Sequence, residues 1–516
     1  MAPTNTLENF FSTFQKNIIG HKQVFNTPFG EKEIMYADWT ASGRAYQPIE
    51  DCLRKEIMPF IGNTHTGATV TGTMMGKAYE SAKRTIKGHV NASGEDVLVF
   101  CGSGMTSAVN KLQRILGIRL PGRIQEYIKK ENGIGIDMDN LLQLDETLKP
   151  VVFITYMEHH SNHISWLETI ANVEIIRPCE NGNVDLQHLK YLLQKYKHRK
   201  NKIAAVTACS NVTGIETPYH TIAKMLHEHD GLCFVDFACS APYVNMDMHP
   251  TEQGTHLDAI YFSPHKFLGG PGTPGVLIFN NSIYKNSVPD QPGGGTVVYT
   301  NPWSTRVYTA DIESREDGGT PPFLQGIKAA MCIKLKEQMG VGNMRTREEE
   351  LLEIVFQRFS KIKNIEVLEG HIKKRLGVIS FIVKDAHYNL IVKILNDRFG
   401  IQTRGGCSCA GTYGHVLLNV GKARSYEIFR SIQAGDMSCK PGWVRLSIHP
   451  TMRNEDIDFI MDAIENTARH YTKWMKDYVY NAVTNEFAFN GFEAREEDVF
   501  AQWFAVQHLQ TTEAFV

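Results

Sequence analysis

The clearest chemistry in this chain lies in Ser263-Pro264-His265-Lys266. It follows an apolar, strand-like run from Leu257 to Phe262 and leads into the turn Gly269-Gly270-Pro271-Gly272. A lysine at such a strand end can sit in a dry, polar-lined cleft and hold an aldehyde cofactor as a Schiff base. Ser263 and His265 stand where they could bind that cofactor's phosphate. Alone, an S-x-H-K stretch reads as a surface lysine after a strand. Other clusters, in order along the chain, turn the reading toward a cofactor.

Gly102-Ser103-Gly104-Met105-Thr106-Ser107 follows a strand pattern and opens a helical one. Glycines let the backbone approach closely, and free N–H groups at a helix start favour a phosphate. Thr106 is the hydroxyl candidate there, although many such turns are only tight turns. Glu158-His159-His160-Ser161-Asn162-His163 follows the next strand. Three close histidines suggest metal ligands, but no carboxylate or cysteine follows at helical spacing, which argues against a metal. One histidine could instead stack on an aromatic cofactor and move protons. Val235-Asp236-Phe237-Ala238 puts an acid at the end of a buried strand, where a carboxylate needs a partner. A protonated pyridine nitrogen would be one, with Ala238 flat against the ring and Asn211 donating to the ring's oxygen. Asp236 could otherwise cap the following helix.

Several elements must position these groups. Continuous apolar runs at Asp96–Phe100, Val151–Tyr156, Val173–Pro178, Ile203–Ala208, Leu232–Phe237, Ala259–Phe262 and Gly275–Phe279 read as strands buried on both faces. They predict an α/β fold, a mostly parallel sheet covered by helices, with its ligand beyond the carboxyl ends of the strands. After about residue 325, helical runs (Phe323–Met339, Arg345–Ile362) lead to separated strands (Gly377–Lys384, Trp443–His449) and a helix from Asn454 to about Lys476. The expected division is an N-terminal segment (1–45) joining the small domain, a large cofactor-binding domain (46–325), a small α+β domain (326–470) and a helical aromatic appendage (471–516). Arg119 to Leu148 is polar and reads as a surface excursion. The chain has 516 residues and a net charge of -2, so nothing marks a nucleic-acid surface. It shows neither a secretory signal pattern nor an apolar run of membrane-spanning length. Its ten cysteines are scattered apart from Cys407 and Cys409, and read as reduced cytoplasmic thiols.

In this order, from about residue 34 to 470, the motifs resemble the class V aminotransferase and cysteine desulfurase family of pyridoxal 5'-phosphate enzymes, fold type I. The resemblance implies that Lys266 carries the cofactor and that Thr106, Ser263 and His265 bind its phosphate. It implies His159 stacked on the ring, Asp236 at the ring nitrogen and Asn211 at the ring oxygen. Thr320, in Gly318-Gly319-Thr320-Pro321, would reach the phosphate of the other subunit of a homodimer. Arg445, in Trp443-Val444-Arg445-Leu446-Ser447, would grip the substrate carboxylate, for which a forked cation suits. His65, in Asn63-Thr64-His65-Thr66, would approach the active site. Arg404-Gly405-Gly406-Cys407-Ser408-Cys409-Ala410-Gly411 resembles the cysteine loop of SUF-type desulfurases and molybdenum cofactor sulfurases, with Cys409 in register with the sulfur-accepting residue. Cys239 stands where desulfurases usually have glutamine, and Met105 where a phosphate-contacting threonine is usual. The implied activity is removal of sulfur from L-cysteine, leaving alanine and an enzyme persulfide, with a sulfur-acceptor protein as a further partner. Two alternatives share the cofactor residues: an aminotransferase or C–S lyase with Cys409 a bystander, and a non-catalytic binding member.

Overall fold

The computed structural model describes residues 6–124, 145–492 and 496–505. The expected surface excursion at Arg119–Leu148 lies mostly outside them. An N-terminal helix, Thr6–Gln15, precedes a hairpin of β1 (Val24–Thr27) and β2 (Gly30–Glu33) and the short β3 (Met35–Tyr36). The central sheet holds β4 (Asp96–Cys101), β5 (Val151–Thr155), β6 (Asn172–Ile176), β7 (Lys202–Thr207), β8 (Leu232–Asp236), β9 (Ala259–Phe262) and β10 (Gly275–Asn280). Their order is β4-β10-β9-β8-β7-β5-β6. Only β10 runs antiparallel to its neighbours, as the apolar runs predict for a mostly parallel sheet. All residues of β4, β5, β7 and β9 are buried.

The covering helices follow the same logic. In the helix Met105–Ile115 the buried positions include Met105, Ala108, Val109, Leu112 and Ile115, a helical stripe that packs on the sheet. Gly102 has φ 45°, and a Cβ there would meet Ser107 Oγ at 2.4 Å, so a glycine is needed to turn β4 into this helix.

Beyond a hairpin of β11 (Val297–Thr300) and β12 (Arg306–Tyr308), the helices Phe323–Met339 and Val341–Phe359 lead into the second unit. Its strands are β13 (Ile365–Val367), β14 (Val378–Val383), β15 (Ile401–Gln402), β16 (Arg404–Gly406) and β17 (Trp443–Ser447). β13-β14-β17-β16 form an antiparallel sheet, while β15 pairs in parallel with β3 of the N-terminal segment. Asp38 bridges to Ser447 just beyond, so the chain's first residues run beside β17. The helices Tyr388–Phe399 and Asn454–Trp474 bury Ile391, Leu395, Ile457, Ile460 and Ile464 in this unit's own core.

The segment after residue 471, expected to be helical, is different. Tyr478–Asn481 and Glu486–Phe489 are strands β18 and β19 of a hairpin, followed by the helix Glu496–Phe504. The aromatics at 478, 480, 487 and 489 alternate with period 2, the strand period. Asn485 takes the left-handed turn position at φ 63°. Tyr478, Phe487 and Phe489 pack on Leu390 and Ile394.

Candidate active site

The carboxyl ends of the parallel strands open into a cavity of about 370 Å³, a size suited to a small ligand. Thr106, His159, Asn211, Asp236, Ala238, Ser263, His265, Lys266, Cys409 and Arg445 all line it. A larger cavity, about 660 Å³, lies between the N-terminal segment and the small domain and contains none of these groups. Chemistry, not size, selects the smaller one.

Lys266 closes a short 3-10 turn, Pro264–Lys266, immediately after β9. Burial holds its amine below the usual ammonium range, with Cys239 and Asp236 pulling the other way. Asp236 ends β8, and burial pushes its carboxyl up to about 6, against a 2.8 Å bond from the Ala238 N–H. No helix follows β8 for Asp236 to cap; the bond closes a turn two residues on. Among the described residues no such bond reaches the second carboxylate oxygen, and the group would recover full charge opposite a cation. Burial, aided by Lys266, holds His159 neutral, at about 3. His159 also caps the helix His160–Leu167, its Nδ1 accepting from the Ser161 N–H at 3.1 Å.

The histidine-rich stretch divides its labour. Glu158 accepts from the Thr155 N–H and hydroxyl, the Thr207 N–H and Asn162 Nδ2, tying β5 and β7 together. His160 Nε2 accepts from the Gly411 N–H at 2.8 Å, and the His160 N–H donates to the Cys409 carbonyl at 2.7 Å. His163 Nδ1 lies 3.0 Å from Thr412 Oγ1. His160 and His163 thus moor the cysteine loop rather than gathering toward a metal. Asn211 holds its other side, donating from Nδ2 to the Ser408 carbonyl at 2.7 Å. Inside these moorings Ser408 and Cys409 adopt φ of 51° and 57°, two successive left-handed non-glycine residues. Such strain costs about 1–3 kcal/mol per residue and persists where the surroundings enforce it. It turns Cys409 outward, exposed at the cavity wall, while Cys407 packs against the core.

Arg445 lies on β17 directly opposite Arg404 of β16. Two like charges in register repel. Asp38 resolves the conflict, with Oδ1 2.6 Å from Arg445 Nη2 and Oδ2 2.9 Å from Arg404 Nε. Arg445 Nη1 donates to the Asn211 carbonyl at 3.0 Å. Sequence reasoning missed Asp38. Its only signal is an acid inside the apolar run Tyr36-Ala37-Asp38-Trp39, where a carboxylate must have a cationic partner. Thr40 and Ala41, which follow it, line the cavity too.

Two expected residues lie elsewhere on this chain. Thr320 is exposed and lines a separate surface depression. His65 Nε2 is 2.9 Å from the carbonyl of Gly319 in the same turn. The structure joins His65 to the Gly318–Pro321 turn and brings neither to Lys266.

The family model of class V aminotransferases matches residues 142–460. The chain belongs to the class V aminotransferase family. It is therefore a pyridoxal 5'-phosphate-dependent enzyme. Similar curated proteins are a probable cysteine desulfurase of Staphylococcus aureus, 26% identical over 445 residues (86% of this chain, 94% of the relative), and one of Staphylococcus epidermidis, 27% identical over 399 residues (77% and 87%). Among solved structures, the apo cysteine desulfurase of Thermococcus onnurineus superposes with TM-score 0.68 at 21% identity, covering 89% of this chain and 98% of that one. The Escherichia coli cysteine desulfurase CsdA gives 0.66 at 18% identity, with the same coverage. These structures share the fold-type-I architecture.

The cavity of this class V enzyme suits pyridoxal phosphate. The helix Met105–Ile115 begins with no side-chain cap, so its first N–H groups favour an anion. The Met105 N–H donates to Ser263 Oγ at 2.8 Å, and a Cβ on Gly104 would lie 3.0 Å from that oxygen, so the glycine keeps the cradle open. Among the described residues, Asn211 Oδ1, Ser408 Oγ and Arg445 Nε are buried polar atoms without a partner. A polar ligand would satisfy such atoms. Cys239, where the family resemblance expects glutamine, donates its thiol to the Ser210 carbonyl at 3.8 Å, as Cys209 does at 3.6 Å. Burial pushes the Cys209 thiol up.

Proposed function

We propose that this enzyme removes sulfur from L-cysteine, producing L-alanine and a persulfide on Cys409. One observation carries the reading: Cys409 stands exposed on a moored, strained loop, at the wall of the same cavity as Lys266 and Arg445. The similarity to proteins named cysteine desulfurases supports it.

Lys266 would hold the cofactor, with Thr106, Ser263, His265 and the helix start at its phosphate. Asp236 would face the ring nitrogen, Asn211 the ring oxygen, and His159 and Ala238 the ring faces. When bound, the cofactor supplies an electron sink that acidifies the proton at the substrate's α-carbon. Arg445, held by Asp38, would orient the substrate carboxylate. Lys266, its amine held below the usual ammonium range, and His159, held neutral, are the groups placed to move protons there. Cys409 Sγ would attack the substrate sulfur as a thiolate. A Cys409 sulfur–sulfur bond forms, the substrate carbon–sulfur bond breaks, and the β-carbon gains a proton, so L-cysteine plus thiol gives L-alanine plus persulfide.

We infer a homodimer in which the partner subunit's Thr320 and the partner subunit's His65 complete each cavity. The exposure of that turn and its contact with His65 support this arrangement. A sulfur-acceptor protein would take the persulfide from exposed Cys409. A cytoplasmic location suits a chain whose described cysteines are all free thiols. Product analysis after anaerobic incubation with L-cysteine tests the reaction. Alanine supports sulfur abstraction; a 2-oxo acid with free sulfide or an aminated acceptor would move the assignment to a C–S lyase or an aminotransferase.

A further inference from the structure

Four successive carbonyls of one loop, Asn211 to Gly214, accept hydrogen bonds from the second unit. Arg445 Nη1 donates to the Asn211 carbonyl at 3.0 Å, and Ser380 Oγ to the Val212 carbonyl at 2.7 Å. Arg375 Nη1 donates to the Thr213 carbonyl at 2.9 Å, and the Leu376 N–H to the Gly214 carbonyl at 2.9 Å. The N–H groups of this loop are occupied within it. Ser210 Oγ accepts from the Val212 and Thr213 N–H groups at 3.1 and 3.2 Å, and the Gly214 N–H donates to the Ser210 carbonyl at 3.0 Å. Ser380 of β14 stands in register opposite Arg445 of β17, so adjacent donors meet adjacent acceptors. A Cβ on Gly214 would lie 2.4 Å from the Leu376 carbonyl oxygen, so the two backbones touch there.

Arg375 is the costly member of this set. It is 1% exposed, and among the described residues the hydrogen-bond partners of its guanidinium are all backbone carbonyls. Besides Thr213, Nε donates to Ile372 at 2.6 Å, Nη1 to Leu368 at 3.3 Å and Nη2 to Glu369. Burial pulls the guanidinium down to about 10, which leaves it charged at neutral pH. Apolar packing is often as stable as a buried charge, so stability alone does not account for an arginine here.

The loop it holds carries site residues. Asn211 lines the cavity, donates from Nδ2 to the Ser408 carbonyl and keeps a second amide hydrogen for another acceptor. Thr213 Oγ1 lies 3.2 Å from the hydroxyl of Tyr413, in the helix that follows the cysteine loop. Arg375 and Ser380 do not line the cavity themselves. We propose that Ser380 and Arg375 are positioning residues: by holding the Val212 and Thr213 carbonyls, they keep Asn211 at the cofactor's ring oxygen while it steadies the Cys409 loop. The proposal rests on the reading of Asn211 as the ring-oxygen contact.

The test is a pH titration of the visible absorbance of the lysine-bound cofactor in the full-length loaded protein, with urea unfolding alongside. A hydrogen bond to the ring oxygen favours its anion, so losing that bond raises the titration midpoint. Asn211→Ala should raise it by about one unit, and Ser380→Ala and Arg375→Met by about half a unit each, with Arg375→Lys between the wild type and Arg375→Met. Leu395→Ala, which opens a cavity in the second unit's own core, should lower stability and leave the midpoint unchanged. If Arg375→Met does not fold, Ser380→Ala decides alone. A shifted midpoint in Asn211→Ala with wild-type midpoints in Ser380→Ala and Arg375→Met would overturn the proposal. So would an equal shift in Leu395→Ala, since the midpoint would then report general loosening. An unchanged midpoint in Asn211→Ala would remove the ring-oxygen reading itself, and the proposal with it.

Discussion

Replacing Asp38 by asparagine keeps the side-chain volume and removes the charge that reconciles Arg404 with Arg445. The two halves of this clamp differ in worth. The Arg404 side chain is 45% exposed, so its pairing contributes under about 1 kcal/mol. The Arg445 side chain is 3% exposed, and among the described residues its Nε has no partner and without Asp38 only the Asn211 carbonyl remains. A hydrogen bond to a charged group is worth about 1.5–3 kcal/mol, and breaking a buried ion pair on one side costs about 3–5 kcal/mol. Asp38→Asn should therefore destabilise the protein by about 3 kcal/mol. Urea unfolding of the cofactor-loaded wild type and variant in parallel measures this. Arg445→Gln in the Asp38→Asn background should recover part of the loss, because it removes the uncompensated charge, and the double-mutant cycle should show coupling. A loss below about 1 kcal/mol for Asp38→Asn, or strict additivity in the cycle, would refute the clamp.

Lys266→Ala should abolish the lysine-bound cofactor absorbance and lower turnover at least about 10³-fold, within the range for losing a positioned acid–base group; an unchanged absorption spectrum would reject Lys266 as the cofactor lysine. His160→Ala should leave that spectrum intact but slow alanine release by about 10–100-fold, since the cysteine loop loses the acceptor for its Gly411 N–H. His449 is buried against Trp39 and held neutral at about 3, below its ordinary value, so the unfolded chain binds more protons between roughly pH 3 and 6.5 and stability rises with pH there. This one histidine should cost about 2 kcal/mol on going from pH 7.5 to pH 5. Unfolding of His449→Phe at both pH values should show the wild type's acid loss reduced by that amount.

Much of the cofactor cavity was legible in the sequence because its groups sit at strand ends. An apolar run followed by Asp236, or by Ser263 to Lys266, announces both a buried strand and the polar residue at its exit. The mostly parallel sheet follows from the same runs. Asp38 was not legible, because its partners stand 366 and 407 positions away and only the pairing of β16 with β17 opposes their charges. The mooring of the cysteine loop by His160 and His163 was equally hidden. Three close histidines without a further ligand at helical spacing argue against a metal, but only the fold shows two of them turned toward residues 411 and 412. The left-handed pair Ser408-Cys409 carries no glycine or asparagine to signal it. The hairpin at 478–489 was misread as helix because short alternating segments rich in aromatics also fit a weak helical stripe, and only packing on Leu390 and Ile394 selects the strands.

The most direct measurement is a single-turnover reaction of anaerobic, cofactor-loaded enzyme with L-cysteine, followed by trapping and peptide mass spectrometry. The expected result is one extra sulfur on the peptide carrying Cys409, equimolar with alanine, and neither product from Cys409→Ser although its cofactor spectrum is that of the wild type. Alanine released at the wild-type rate by Cys409→Ser, or the extra sulfur found on Cys407, Cys239 or Cys439 instead, would contradict the assignment of Cys409 as sulfur acceptor.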